Sequence, residues 1–233
     1  EYQSHQSVAS YINGDYWGLY KIREKVNEHF LASKANISVD DIDLLTNDAE
    51  VLHGTNEDYI NLRNFMSINN LAYSSNYNYV KTQVDIDNFI IYNVIQIYGD
   101  NRDWPGNNIK YWKSDGGKWR WILYDTDFTF SGQWWAWDVN NHYLVNSLNF
   151  VLSGNQTNWA NAPWATLMLR RLIENIEFRN KFVNRYADEL NTRFLASNVV
   201  QHFNDIYDVI LDEVPDHMER WNSNDNPYYF VEQ

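Results

Sequence analysis

Apolar and polar residues alternate near the start of the chain and recur at helical spacing further along. Residues 7–24 predict a β-hairpin, because two strand-like runs flank Asn13-Gly14-Asp15, and Asn-Gly supplies the positive backbone angles of a tight turn. A helix is predicted over 24–31, since Val26, Phe30 and Leu31 fall on one side. Residues 40–45 predict a short connecting element, with a strand as one interpretation.

The middle of the chain predicts two helices and a second hairpin. A helix is predicted to begin near Thr55, which would be its N-cap, and to end near Asn69-Asn70. Apolar residues over 86–97 recur at helical spacing and predict a buried helix that ends near Gly99. At its start Asp85 and Asp87 are better explained as capping acids than as metal ligands. Strand-like runs at 109–113 and 119–124 flank a turn at 115–118.

The last third of the chain predicts helices. Pro163 is placed at a first helical position, and apolar residues then mark helices around 167–173, 178–186 and 199–211. Pro215 ends or restarts the last of them. With the two hairpins, this pattern predicts an α+β fold.

Composition limits the partners that the protein can have. The chain has 233 residues, of which 44% are hydrophobic, enough for one large domain or two lobes. Its net charge of -13 repels phosphate backbones and so argues against general nucleic-acid binding. For the same reason, ATP can bind only if metal ions or a local basic cluster compensate for the charge. Basic protein substrates, in contrast, are favoured. There is no Cys, hence no disulfide and no thiolate metal site.

The sequence contains no run long enough to span a membrane. Residues 1–5 have neither the charged start nor the apolar run of a signal peptide. Since the chain also lacks an initiating Met, we expect a processed form or a piece of a longer protein.

The residues best suited to chemistry lie in the loop at 101–108 and at the strand exit at 124–128. Asp103 follows an Arg, Asn108 stands five positions later, and Asp125 and Asp127 follow the second hairpin. Protein kinases use this order, in which one carboxylate orients the attacking hydroxyl while an Asn oxygen and a second carboxylate hold Mg²⁺ against the phosphates. The plainer alternative is a turn-rich surface loop whose acids cap helices and bind water.

Longer segments resemble the spore coat protein H (CotH) kinase family. They are 11–25, 84–90, 103–108, 119–128 and 163–221, and they follow the family's order over nearly the whole chain. The resemblance implies a single domain over 1–233 with a divergent protein-kinase-like fold. Residues 1–50 would be a remnant of the N-lobe with its hairpin, and 51–233 a mostly helical C-lobe that carries the metal-site hairpin at 109–127.

The resemblance also implies an activity and the residues that carry it. The protein would bind ATP with Mg²⁺ or Mn²⁺ and transfer the γ-phosphate to Ser or Thr of a protein substrate. Asp103 would be the catalytic residue, and Asn108, Asp125 and Asp127 the metal ligands. Glu24 would be a conformational or ion-pairing acid of the N-lobe near the cofactor. An extracytoplasmic or cell-surface setting in a bacterium is expected from the family and agrees with the Cys-free, acidic and aromatic-rich composition.

Two departures from the family pattern bear on activity. Thr129 stands where the family has the Gly of Asp-Phe-Gly, and Thr takes the backbone angles of Gly only at a cost, so the metal loop is expected to differ. The N-lobe strands that precede the Asn-Gly hairpin in the family are also missing from this chain. Lys21, with Arg23 and Lys25 beside it, is then the candidate for phosphate contacts, although a surface role is the simpler explanation for each. These departures leave open whether this chain is active by itself, even where a longer parent protein is.

Aromatic residues motivate a different function on the same fold. The chain has 11 Trp, and five of them fall between residues 134 and 164. Exposed flat rings would stack on sugars and suggest a non-catalytic cell-surface or carbohydrate-binding module, whereas buried rings would only form core. The five are Trp134, Trp135, Trp137, Trp159 and Trp164. The six His residues show no zinc-binding spacing such as His-Glu-x-x-His.

Overall fold

The computed structural model describes residues 2–130, 144–153 and 159–221, apart from the side chain of Trp159. These residues form helices together with two antiparallel sheets, which confirms the α+β class. None of the helices described here combines the length and the apolarity that a membrane span requires.

Six strands and nine helices are found in the described residues. The strands are β1 (His5–Ile12), β2 (Asp15–Arg23), β3 (Ile42–Thr46), β4 (Glu50–His53), β5 (Lys110–Ser114) and β6 (Arg120–Ile122). The helices are α1 (Glu28–Ala35), α2 (Glu57–Ile68), α3 (Ser74–Gln83), α4 (Ile86–Tyr98), α5 (Ser147–Leu152), α6 (Leu167–Leu172), α7 (Ile176–Leu190), α8 (Ala196–Ile210) and α9 (Val214–Trp221). Both hairpins, α4, α8 and the restart at Pro215 agree with the sequence pattern, while β4 and α3 were not predicted.

The described residues divide into two units. The first takes in residues 1–3 and 25–186, hence the four-stranded sheet, helices α1 to α6 and most of α7. The second takes in residues 4–24 and 187–233, hence the hairpin β1–β2 with α8 and α9. The assignment of residues 1–233 to a single kinase-like domain stays a prediction.

The sheet of the first unit has the order β4-β3-β5-β6, and its middle strands, β3 and β5, are covered on both faces. Successive residues of a strand point to opposite faces, and in β5 both Tyr111 and Trp112 are buried. Trp112 belongs to a cluster with α1, which includes Leu31, while the Tyr111 ring stacks on Trp121 at 5.6 Å. Residues 42–53 therefore share one sheet with the hairpin at 109–127.

Helix α4 is the buried element from which the site loop leaves. Asp85 caps it by accepting a hydrogen bond from the backbone N–H of Asn88 at 3.0 Å, as the sequence predicts. Asn88 in turn lies beside β6, where its Oδ1 accepts the N–H of Trp121 at 2.6 Å and its Nδ2 donates to the carbonyl of Trp121 at 3.1 Å. These bonds fix α4 against the strand that precedes Asp125.

The second unit is held by contacts between β2 and α9. Nδ1 of His217 accepts the backbone N–H of Leu19 at 2.9 Å, and the rings of Trp17 and Trp221 meet edge to face at 5.4 Å. Gly18 lies under these side chains with a φ of 135°, where any Cβ would come within 2.8 Å of the Trp221 indole nitrogen. The Gly is therefore required by both its backbone angle and its neighbours.

Two helix starts differ from the sequence prediction. α1 begins at Glu28 rather than at residue 24, because the Asn27 side chain caps it by accepting the N–H of Phe30 at 3.0 Å. Thr55 does not cap α2, which begins at Glu57. The N–H of Thr55 is instead bound by the carboxylate of Asp43 at 2.7 Å, a contact with β3 that the local sequence does not reveal.

The helix predicted at Pro163 begins later, at Leu167. A short 3-10 turn at Trp159–Asn161 and a non-helical stretch come first. Asn161 is buried in that turn and accepts the hydroxyl of Thr166 at 3.0 Å, so side-chain bonds rather than helical ones order the chain there.

Candidate functional site

The loop that carries Asp103 is anchored at its start by Asn101. This side chain is buried, donates to Oε1 of Gln96 at 2.9 Å and accepts the backbone N–H of Asp103 at 3.1 Å. Next to Asp103, the ring of Trp104 is buried and lies edge to face on Tyr92 at 6.4 Å. Asn101 therefore positions the loop against the end of α4.

Two amides hold the carboxylate of Asp103. Oδ2 accepts Nδ2 of Asn107 at 3.0 Å and Nδ2 of Asn108 at 2.6 Å. Both donors use the same oxygen, so Oδ1 of Asp103 is the oxygen that these amides leave for another partner. Because Asn108 donates through its nitrogen, its own Oδ1 is the end available to a cation.

The second loop follows β6 and is closed by a Thr. The carbonyl of Thr126 accepts both the backbone N–H of Thr129 at 3.1 Å and its hydroxyl at 2.7 Å. Positive φ values fall on Asp125 (52°) and Phe130 (50°), and Thr129 is not among the residues with positive φ. Thr129 therefore does not adopt the left-handed conformation that favours Gly, whereas the next residue, Phe130, does.

Two backbone hydrogen bonds join these loops. The N–H of Arg102 donates to the carbonyl of Phe128 at 3.2 Å, and the N–H of Phe130 donates to the carbonyl of Gly99 at 2.8 Å. They bring the segment with Asp125 and Asp127 alongside the loop with Asp103. A Cβ at Gly99 would come within 2.9 Å of the Thr129 side chain, so the two loops are also in close contact.

The negative charges of Asp125 and Asp127 act on the carboxyl of Asp103. Burial raises the pKa of Asp103, the Asn107 hydrogen bond opposes this rise, and the negative charges of Asp125 and Asp127 add to it. Burial likewise raises the pKa of Tyr124 to about 12, with further contributions from Asp125 and Asp103. The described residues therefore place the predicted catalytic acid and both predicted acidic metal ligands in one neighbourhood.

The donor chemistry fits Mg²⁺ or Mn²⁺, which prefer oxygen ligands and accept one or two carboxylates together with substrate phosphates and water. Asn108, Asp125 and Asp127 offer an amide and two carboxylates. No group of three or more His, Asp or Glu side chains in the described residues is arranged to hold a metal by itself. A cation here would therefore depend on ligands from a bound nucleotide.

The two residues predicted to contact the cofactor, Glu24 and Lys21, lie in the second unit. Lys21 is exposed on β2, opposite Ser7 of β1. Oε2 of Glu24 accepts the backbone N–H of Ser4 at 3.0 Å, and the N–H of Glu24 donates to the Ser4 carbonyl at 3.0 Å. Their roles toward a cofactor remain predictions.

Two polar residues of this region were not singled out from the sequence. Asn107 is the second amide on Asp103, and only the doubling of Asn at 107–108 hints at it. Lys110 opens β5, where its Nζ donates to the carbonyl of Val26 at 3.2 Å and lies 4.7 Å from the ring centroid of Tyr124. Burial lowers the pKa of Lys110, the positive charge of Lys25 adds to this effect, and Asp125 opposes it.

Most of the aromatic cluster falls outside the described residues, namely Trp134, Trp135, Trp137 and the side chain of Trp159. The described member, Trp164, is half-buried and lines a cavity together with residues that include Tyr92 and Trp104. This position favours a packing role for Trp164, and no described flat face of several Trp rings supports the carbohydrate hypothesis.

Comparison with known proteins identifies the family. The family model described as CotH kinase protein matches residues 1–232. No curated protein matches the chain significantly. The match spans both hairpins, the loop with Asp103 and the helices that follow, in agreement with the segments on which the resemblance rests. The chain therefore belongs to the CotH kinase protein family.

Proposed function

We propose that this chain is an atypical, kinase-like domain that transfers the γ-phosphate of ATP to a Ser or Thr hydroxyl of a protein, with Mg²⁺ or Mn²⁺ as the metal. The observation that carries the proposal is the arrangement at Asp103. Asn107 and Asn108 hold its carboxylate, and Asp125 and Asp127 lie close enough to raise its pKa. The match to the CotH kinase family supports kinase-like chemistry for the chain.

Asp103 is suited to the substrate hydroxyl. With Oδ2 held by two amides, Oδ1 can accept a hydrogen bond from a Ser or Thr hydroxyl and orient it toward the γ-phosphorus. The hydroxyl oxygen then bonds to phosphorus, the bond from phosphorus to the β–γ bridging oxygen breaks, ADP leaves, and the hydroxyl proton passes to the Asp103 carboxylate. Asn107 keeps the carboxylate in one orientation throughout.

The remaining polar residues would hold the metal. When bound, Mg²⁺ or Mn²⁺ neutralises charge that develops on the phosphate oxygens. Asp125 and Asp127 would contribute carboxylate oxygens and Asn108 its amide oxygen. Asn108 would also link the metal to Asp103, because its amide nitrogen donates to the Asp103 carboxylate and its amide oxygen is left for the metal.

Thermal unfolding with and without ATP and Mn²⁺ tests the nucleotide site without requiring turnover. Ligand at a hundredfold over its dissociation constant adds about 2.7 kcal/mol to the free energy of unfolding, so the transition shifts visibly. We expect this shift in the wild-type chain and its loss in Asp127→Ala. Asp115→Ala is the matched control, because Asp115 is an exposed acid in the turn between β5 and β6. Absence of a shift in the wild type, or an equal shift in Asp127→Ala, would contradict the proposal.

Phosphate transfer is the second measurement. With labelled ATP and a mixture of Ser- and Thr-containing proteins, the wild type should label its substrate. Asp103→Asn should keep the thermal shift and lose the labelling, because it removes the proton acceptor and leaves the metal ligands in place.

A further inference from the structure

The proposed nucleotide site has a charge problem. ATP carries several negative charges, the site holds Asp103, Asp125 and Asp127, and the chain as a whole has a net charge of -13. A divalent cation offsets part of this, and phosphoryl-transfer sites add a protein cation on the phosphates. We therefore expect a Lys or Arg next to the acids to supply this positive charge.

Lys110 is in the right place. It lies two residues after Asn108 at the start of β5, and its β6 partner in the register is Ile122, three residues before Asp125. Among neighbouring charges, Asp125 has the largest electrostatic effect on Lys110, and Lys25 has the next. The strand register and the electrostatic effect of Asp125 thus place Lys110 beside one of the predicted metal ligands.

The ammonium has donors left for a ligand. Lys carries three N–H donors, of which one is directed to the carbonyl of Val26 at 3.2 Å. The face of the Tyr124 ring, 4.7 Å from Nζ to centroid, supports the side chain from another direction by a cation–π contact. A half-buried, positioned Lys loses less entropy on binding a ligand than a freely moving one.

Two other cations of this region, Arg102 and Lys113, are engaged elsewhere. Arg102 pairs with Asp100 through Nη2 at 2.7 Å. Lys113, three residues along β5 from Lys110, pairs with Asp58 and lies over the ring of Trp119 at 5.8 Å. Neither is described in contact with Asp125.

We propose that Lys110 is a phosphate-binding residue of this site, whose ammonium contacts the phosphate oxygens of a bound nucleoside triphosphate beside Asp125. The inference rests on the proposed function and adds to it a residue that supplies positive charge to the phosphates. It also explains why a Lys, rather than an apolar residue, occupies a half-buried position at the start of a strand.

The test compares dissociation constants by titration calorimetry, with ATP, AMP and inorganic tripolyphosphate as probes, each with Mn²⁺. Lys110→Met should weaken ATP and tripolyphosphate binding about tenfold, because a charge-assisted hydrogen bond is lost, and should change AMP binding less. Lys110→Arg should keep most of the affinity. Lys113→Met is the matched control, a Lys on the same strand that also lies over an aromatic ring, and it should bind as the wild type does.

The outcomes separate this inference from the proposed function. If the wild type binds none of the probes, the proposed function fails and Lys110 has no ligand to contact. If the wild type binds ATP and Lys110→Met binds it within about twofold, Lys110 has only a packing role and the inference alone fails. If Lys110→Met does not fold, Lys110→Gln takes its place, because Gln keeps a long polar side chain without the charge. The ATP dissociation constants of Lys110→Gln and the wild type are then compared by the same criterion.

Discussion

Asp103 carries a charge that the folded state disfavours. Burial and the negative charges of Asp125 and Asp127 raise the pKa of its carboxyl, and the hydrogen bond from Asn107 offsets only part of this. In the unfolded chain an Asp titrates near pH ~3.9. Above that pH the folded state retains the proton longer, so stability falls as the pH rises through the higher, folded pKa and remains reduced at neutral pH.

Replacing this charge should stabilise the fold. We expect Asp103→Asn to unfold at a higher temperature than the wild type at pH 7, because the amide keeps an acceptor for Asn107 and Asn108 without the charge. The difference should shrink as the pH is lowered toward the value at which Asp103 is protonated in both states. Thermal unfolding from pH 3.0 to 7.5 measures it, with Asp115→Asn as an exposed control. A difference that does not change with pH would count against this account.

At the scale of elements, the site depends on how α4 is fixed to β6. β6 is the last strand of its sheet. The side chain of Asn88 accepts the backbone N–H of Trp121 and donates to the Trp121 carbonyl, and it thereby replaces the hydrogen bonds that a neighbouring strand would make. Asp85 adds an ion pair to Arg120 at 2.7 Å. Since the two site loops leave from α4 and β6, this junction sets the distance between them.

Removing the Asn88 side chain should therefore cost more than an average substitution. Asn88→Ala leaves two buried backbone groups of Trp121 without a partner, and we expect a loss of roughly 2 kcal/mol or more in the free energy of unfolding. Urea denaturation measures this loss. Asn64→Ala, at an exposed position of α2, is the control and should stay within about 0.5 kcal/mol of the wild type. A change of similar size in both variants would show that the amide pairing is not what holds the junction.

The net charge of -13 acts at the scale of the whole molecule. Such a field attracts cationic segments and repels acidic ones over a distance set by the ionic strength. If the domain phosphorylates proteins, basic sequences around the target Ser or Thr are favoured at the encounter step.

A pair of peptides tests this preference. For a Ser peptide flanked by Lys and Arg, kcat/KM should fall roughly tenfold between low salt and 0.5 M NaCl, since screening removes the steering. For the same peptide flanked by Asp and Glu, kcat/KM should start lower and change little or rise. Equal salt dependence for both peptides would show that the charge of the domain does not select substrates.

The sequence by itself determined the features that neighbouring residues control. Asn13 and Gly14 form the hairpin turn with φ values of 53° and 91°, as the dipeptide predicts. Asp85 caps α4 because a side-chain oxygen three residues before an amide is enough to do so. The sequence also identified the candidate site residues, because a family pattern fixes their order and spacing along the chain. They are Asp103, Asn108, Asp125 and Asp127.

Only the tertiary structure decided which of these residues meet. β3 pairs with β5 although Leu44 and its partner Trp112 lie far apart in sequence, and this pairing takes residues 42–46 into the sheet of the metal-site hairpin. Two backbone bonds between the loops bring Asp103 near Asp125 and Asp127, and the same packing places Lys110 over Tyr124. Such contacts join segments that no local pattern relates, because hydrophobic periodicity shows which face of an element is buried without naming its partner.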